Sequence, residues 1–252
     1  MRPPFLLVLL LSACSPKDAD TGEDTSSPDT SVASAEPIDS GEDTSNPEET
    51  GDTDSDFPAI SGDCFVLDDE LTDTAPSVFS NSIDFGEFGF SEDYLSEGGS
   101  TLYASDNAGG SSVYSEVFAY ELLHRCEEAL LLKTETEIAY TNSQGKITDM
   151  LLEIDSLKIG VSVTRAFAYP PETPYTNELA EELLEKKLAG VLESSANVSP
   201  EDAWEKQILH ILAYTPDHQA RVLESYQALD PSLTADTIVV VTSTEGEDAF
   251  LY

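Results

Sequence analysis

Residues 146–169, KITDMLLEIDSLKIGVSVTRAFAY, decide the fold. They hold two runs rich in branched side chains: 146–155 reads as the return strand of an antiparallel hairpin and 157–169 as the strand that follows it. Strand side chains alternate between faces. Met150, Leu152 and Ile154 therefore share one face, and Asp149, Leu151, Glu153 and Asp155 share the other. In the next strand Ile159, Val161, Val163 and Phe167 lie on one side, with Gly160, Ser162, Thr164 and Ala166 opposite, a face small enough for a helix to sit close. Upstream, 129–141 is again rich in branched residues and Thr, and Asn142-Ser143-Gln144-Gly145 reads as the turn into the hairpin.

Working outward, Ser112 starts a helix to about Arg125, striped by Val113, Val117 and Tyr120 with Tyr114, Phe118 and Leu122 beside them. After Tyr169-Pro170-Pro171 a second helix spans 177–192, with Leu179, Leu183, Leu184 and Leu188 inward. Its early Glu178, Glu181 and Glu182 and later Lys186 and Lys187 complement its dipole. Ser199-Pro200-Glu201-Asp202 is a helix start, and Trp204, Ile208, Ile211 and Leu212 keep helical spacing, although 207–214 alone also fits a strand. Thr215-Pro216 opens a helix to about Leu229, and Thr237 to Thr242 reads as a buried closing strand. Residues 58–111 alternate acids, aromatics and Gly/Ser clusters and read as short strands or loops. The expected domain, 58–252, is α+β: a single globular unit with a mixed or antiparallel sheet, in the order helix, three strands, helices, closing strand.

The segment before it is of another kind. Arg2 and the apolar run from Phe5 to Leu11 precede Leu11-Ser12-Ala13-Cys14, which resembles the bacterial lipoprotein signal at every position of its lipobox. That resemblance implies a signal peptide over 1–13, lipidation of Cys14 and a membrane partner reached through the lipid anchor alone. Ser15, where an aspartate is associated with inner-membrane retention, implies the outer membrane of the cell envelope. From 14 to 57 the chain is nearly all Asp, Glu, Ser, Thr, Gly and Pro, a composition that cannot bury a core and reads as a disordered acidic linker. Asp52-Thr53-Asp54-Ser55-Asp56 begins like a calcium loop, but Phe57 stands where the turn needs Gly and Asp63 where a bidentate Glu belongs.

The chain carries 11 Lys+Arg against 50 Asp+Glu, a net charge of −39. About −27 of this falls within 58–252, a surface that repels phosphate backbones, so nucleic-acid binding is disfavoured unless a metal offsets the charge locally. Cys64 and Cys126 form an even pair in an exported domain and read as a disulfide, with two buried thiols as the alternative.

The order of elements over 113–242 resembles the PD-(D/E)XK nuclease core, and Asp149 falls where that family's first metal-binding aspartate lies. The family implies Glu-x-Lys in the third strand, where this chain has Ser162-Val163-Thr164; its one Glu-x-Lys, Glu185 to Lys187, lies in the helix of 177–192. No Gly-x-Ser-x-Gly elbow, His-Glu-x-x-His, P-loop or Cys-x-x-Cys is present, and His124, His210 and His218 have no ligand spacing. The candidate metal residues are Asp149 with Glu153, and a divalent cation is the one cofactor they point to. Composition and address favour binding or structural work at the envelope, through another envelope protein or a surface ligand. The competing reading is a metal-dependent enzyme, which requires carboxylates from different elements to converge on Asp149, or a degenerate relative of the PD-(D/E)XK nuclease fold.

Overall fold

The computed structural model describes residues 57–106 and 112–252. Cys14, the linker and the acidic run at 52–56 lie outside the described residues.

The architecture is α+β, built on one mixed sheet of seven strands in the order β1-β2-β7-β6-β5-β4-β3. At its centre β5 (Leu157–Ala166), β6 (Lys206–Ala213), β7 (Ile238–Glu245) and β2 (Ser77–Asp84) run parallel. Parallel neighbours need a crossover. Helix α3 (Asn177–Asn197) joins β5 to β6, and α4 (Pro216–Tyr226) joins β6 to β7. At one edge β4 (Met150–Ile154) is antiparallel to β5, and β3 (Leu130–Thr134) is antiparallel to β4; at the other, β1 (Ala59–Gly62) is antiparallel to β2.

Two cores follow from the alternation. Met150, Leu152, Val161, Ile208 and Val240 pack under α1 (Glu97–Ala104) and α2 (Val113–Glu127), joined by Phe118 and Leu122. Leu209, Ile211, Val239 and Val241 pack under α3 and α4 with Leu184, Leu188 and Val222. Cys64 and Cys126 are disulfide-bonded, with Cα atoms 4.8 Å apart, and this fastens the segment between β1 and β2 to the end of α2. The neighbouring Glu127 carboxylate accepts the backbone N–H groups of Val66 and Leu67, both at 3.2 Å.

Three expectations are corrected. In place of the helix expected from Ser199 through Leu212, 199–205 is not helical and Lys206–Ala213 is β6, the strand alternative for 207–214, with all eight residues buried. A strand covered on both faces needs no polar alternation, so its continuous apolar run mimics helical spacing. The expected strand 129–141 stops at Thr134, and β4 starts only at Met150, so 135–149 is an excursion rather than a simple hairpin turn. Asn197, at the end of α3, holds that excursion: its Oδ1 accepts from Asn142 N–H at 2.9 Å, and its Nδ2 donates to the carbonyls of Asn142 and Lys146. Finally, the short strands or loops expected over 58–111 include two strands, and β2 does not lie over the core but enters the parallel centre beside β7.

The small face of β5 does admit a close neighbour. The indole of Trp204 lies over Gly160, where an added Cβ would fall 2.6 Å from ring atoms, and its Nε1 donates to Ser195 at 3.1 Å. Gly160→Ala must displace that ring, so urea unfolding should show a loss of about 1–3 kcal/mol. A variant as stable as the wild type would contradict this packing.

Candidate metal centre

Asp149 sits where β4 stops and β5 continues. Its N–H donates to Val161 O at 3.1 Å, and its Oδ2 accepts the Val163 N–H at 2.6 Å, so the carboxylate takes over as hydrogen-bond partner just outside the strand. Thr148, the residue before it, is fixed on both sides. Its N–H donates to the Tyr140 hydroxyl at 2.7 Å, and its Oγ1 bonds to Ser162 Oγ at 2.7 Å. The side chain is thus aimed by bonds on three neighbouring residues.

Two more carboxylates meet it. Glu116 comes from the first turn of α2 and Glu135 from the turn that ends β3; both are buried. The turn is closed by Glu137 N–H to Thr134 O at 3.0 Å and locked by the Glu137 carboxylate, which accepts from Thr134 N–H at 2.9 Å and Oγ1 at 3.1 Å. One oxygen from each of Glu116, Glu135 and Asp149 lies within 4.8 Å of the others. Burial pushes the Asp149 carboxyl up to about 7; Glu116 and Glu135 add to the rise, while the Val163 N–H and Lys187 oppose it.

Lys187 reaches this site from α3, flanked on the helix by the inward Leu184 and Leu188. Burial lowers its pKa, the Asp149 charge opposes that, and Lys186, Lys146 and Arg165 are near enough to add to the lowering. Lys187 therefore stands by three carboxylates from three separate elements, and three more of the chain's 11 lysines and arginines act on Lys187.

All three ligands would be hard oxygens, and no thiolate or imidazole joins them. That set suits an oxygen-preferring divalent ion such as Mg²⁺, Mn²⁺ or Ca²⁺. The crowding of Asp149 by two like charges is the imbalance such an ion offsets.

Of the residues expected from sequence, Asp149 is in the cluster and Glu153 is not; Glu153 stands inside β4, opposite Lys158 of β5. Glu116 and Glu135 were not singled out by sequence, since one looks like an ordinary helix acid and the other like an outward residue of Thr134-Glu135-Thr136-Glu137. Lys187 read as a dipole-complementing charge. The histidines stay apart from the centre: His124 bonds to Ala129 O, His210 to Thr242 and His218 to Thr215.

No family model matches the chain. Over 164 residues it is 38% identical to the AAC-rich mRNA clone AAC4 protein of Dictyostelium discoideum, a match covering 63% of this chain and 24% of that protein, so the chain spans about a quarter of that relative's length. Among solved structures it is similar to Pyrococcus furiosus SfsA, solved in complex with Ca²⁺, at 12% identity and a TM-score of 0.29 over 53% of this chain and 56% of that one.

The raised carboxyl has a stability consequence in metal-free protein. The unfolded Asp149 releases its proton near pH 4 and the folded one near 7, so the native state loses stability as pH rises through that interval and the full loss is present above 7. With chelator present, Asp149→Asn should stabilise the fold at pH 8 by up to roughly 4 kcal/mol, with the gap closing below pH 4. Chemical denaturation across pH measures it, and a variant less stable than wild type at pH 8 would contradict the crowding described.

Proposed function

We propose that the domain is a divalent-cation-dependent hydrolase acting on an anionic ester, tethered to the cell envelope through lipidated Cys14 and the acidic linker. The observation that carries the enzymatic reading is the meeting of Glu116, Glu135 and Asp149, from three elements, with Lys187 beside them. This is the convergence that separates a metal centre from a solvated strand face. The PD-(D/E)XK resemblance implies the same division of labour, two or three carboxylates and a lysine, and a phosphodiester as the bond attacked. Here the lysine would come from α3 instead of the third strand.

In this reading Glu116, Glu135 and Asp149 hold the ion, and the Val163 N–H keeps Asp149 in its rotamer. The bound ion supplies Lewis acidity and a water of lowered pKa. Lys187 would place positive charge where negative charge grows on the ester oxygens. Lys146, Arg165 and Lys186 give an otherwise acidic surface a local field that admits an anion. This local field answers the repulsion that the overall charge of the chain imposes on phosphate-bearing substrates.

Among the described residues no helix is long and apolar enough to cross a membrane. Attachment in the proposal rests on lipid: one acyl chain holds a protein marginally, and the two or three implied at Cys14 hold it firmly.

Calorimetric titration with Mn²⁺ should give one site per domain, lost in Asp149→Asn. Lys187→Met should keep that site while lowering turnover of bis(p-nitrophenyl) phosphate by about 10²–10³-fold. Wild-type protein that takes no divalent ion would overturn the enzyme and leave display for partner binding as the function. Separately, Cys14→Ser expressed in a bacterial host should move the protein from the membrane to the soluble fraction; unchanged membrane retention would remove the lipid anchor.

A further inference from the structure

The end of β5, the segment leading into α3 and the first turns of α3 enclose a cleft of about 410 Å³, whose Lys186 is the chain neighbour of Lys187. Its walls are Phe167, Tyr169, Tyr175 and Leu183, and Arg165 and Lys186 stand in the same lining, with Glu182 the one acid. Tyr169 is 85% exposed, so its ring is accessible to a ligand. Tyr175 is held from behind by His218, ring centroids 4.7 Å apart. Phe167 is backed by Tyr214 and Tyr252 at 5.2 Å each, so the aromatic wall is braced rather than loose.

The charge is the informative part. A chain with so few bases places two of them in one aromatic-walled cleft, and both are among the cations that act on Lys187. Arg165 donates from Nη1 to Leu251 O at 2.7 Å, which commits one of its five N–H donors and steadies the guanidinium without using up the rest. A neutral apolar ligand would leave the two cations with Glu182 as the one counter-charge in the lining, and a bare anion would leave the rings without a purpose. A cleft of this size fits a group of one ring and one phosphate.

We propose that this cleft binds a ring-bearing phosphate, its ring against Tyr169 and Phe167 and its phosphate on Arg165 and Lys186. Resting on the hydrolase reading above, the cleft would hold the part of the substrate next to the bond attacked at Asp149. The shared chemistry has two sources, a free mononucleotide or one unit of a single strand.

The test uses the full domain in chelator, so that it does not depend on the metal. Adenosine 5′-monophosphate, adenosine, inorganic phosphate and pentathymidylate are titrated at near-physiological salt, with two-dimensional NMR shifts as the readout. Saturable binding of the nucleotide, with shifts at Tyr169 and Phe167, and about tenfold weaker affinity in both Lys186→Gln and Tyr169→Ala, is expected. Both positions are exposed, so these variants fold. Binding of pentathymidylate without the mononucleotide supports the cleft and assigns it to a strand. Equal binding of inorganic phosphate, binding untouched by either substitution, or no binding of either nucleotide ligand overturns the proposal. Loss of the Mn²⁺ site would overturn the hydrolase instead, and the two failures are separately visible.

Discussion

The hydrogen bond from Val163 N–H to the Asp149 carboxylate is the constraint on which the rest of the structure turns. β4 covers β5 only as far as Val161, and without an acceptor the Val163 N–H would be stranded at the margin of a buried sheet. A carboxylate fills that place, so a strongly hydrated group is committed to a half-buried position. Everything around it bears on that commitment. The Tyr140 and Ser162 hydroxyls fix Thr148, Asn197 fixes the approach from 141 to 146, and α3 brings Lys187 alongside.

A buried carboxylate is tolerable with one compensating cation, but this one also has Glu116 and Glu135 as neighbours. Like charges so close in a poorly hydrated site raise the proton affinity of one member or recruit a positive ion. Purely structural acids in this protein are arranged differently. Asp202 receives Lys133 at 2.6 Å, and Glu121 receives Arg125 along α2 at 3.3 Å, so each has a direct ion pair. Lys187 acts on Asp149 at longer range.

Much of the fold was legible because the strands obey simple alternation. Met150-Leu151-Leu152-Glu153-Ile154 and Leu157 to Ala166 have the period-2 pattern of strands with distinct faces, and Asp149 stands out as an acid at the mouth of such a strand. β6 was harder, since Gln207 to Ala213 is buried from both sides and carries no face information. The partners of Asp149 were not legible because convergence is a tertiary property. Glu116 sits in a helix whose buried side is defined by Val117, Phe118 and Tyr120, and nothing local distinguishes it from an exposed acid. Glu135 faces inward only because the Glu137 carboxylate locks a turn that sequence alone read as continuing strand. Lys187 has the spacing of a dipole-complementing lysine and the location of something else.

The central claim is that Glu116, Glu135 and Asp149 form one cation site. Crystals of the domain soaked in Mn²⁺ and measured at an anomalous wavelength test it most directly. The account predicts a peak bounded by those three carboxylates. Ions found only on scattered surface acids, with the space at Asp149 holding none, would contradict it.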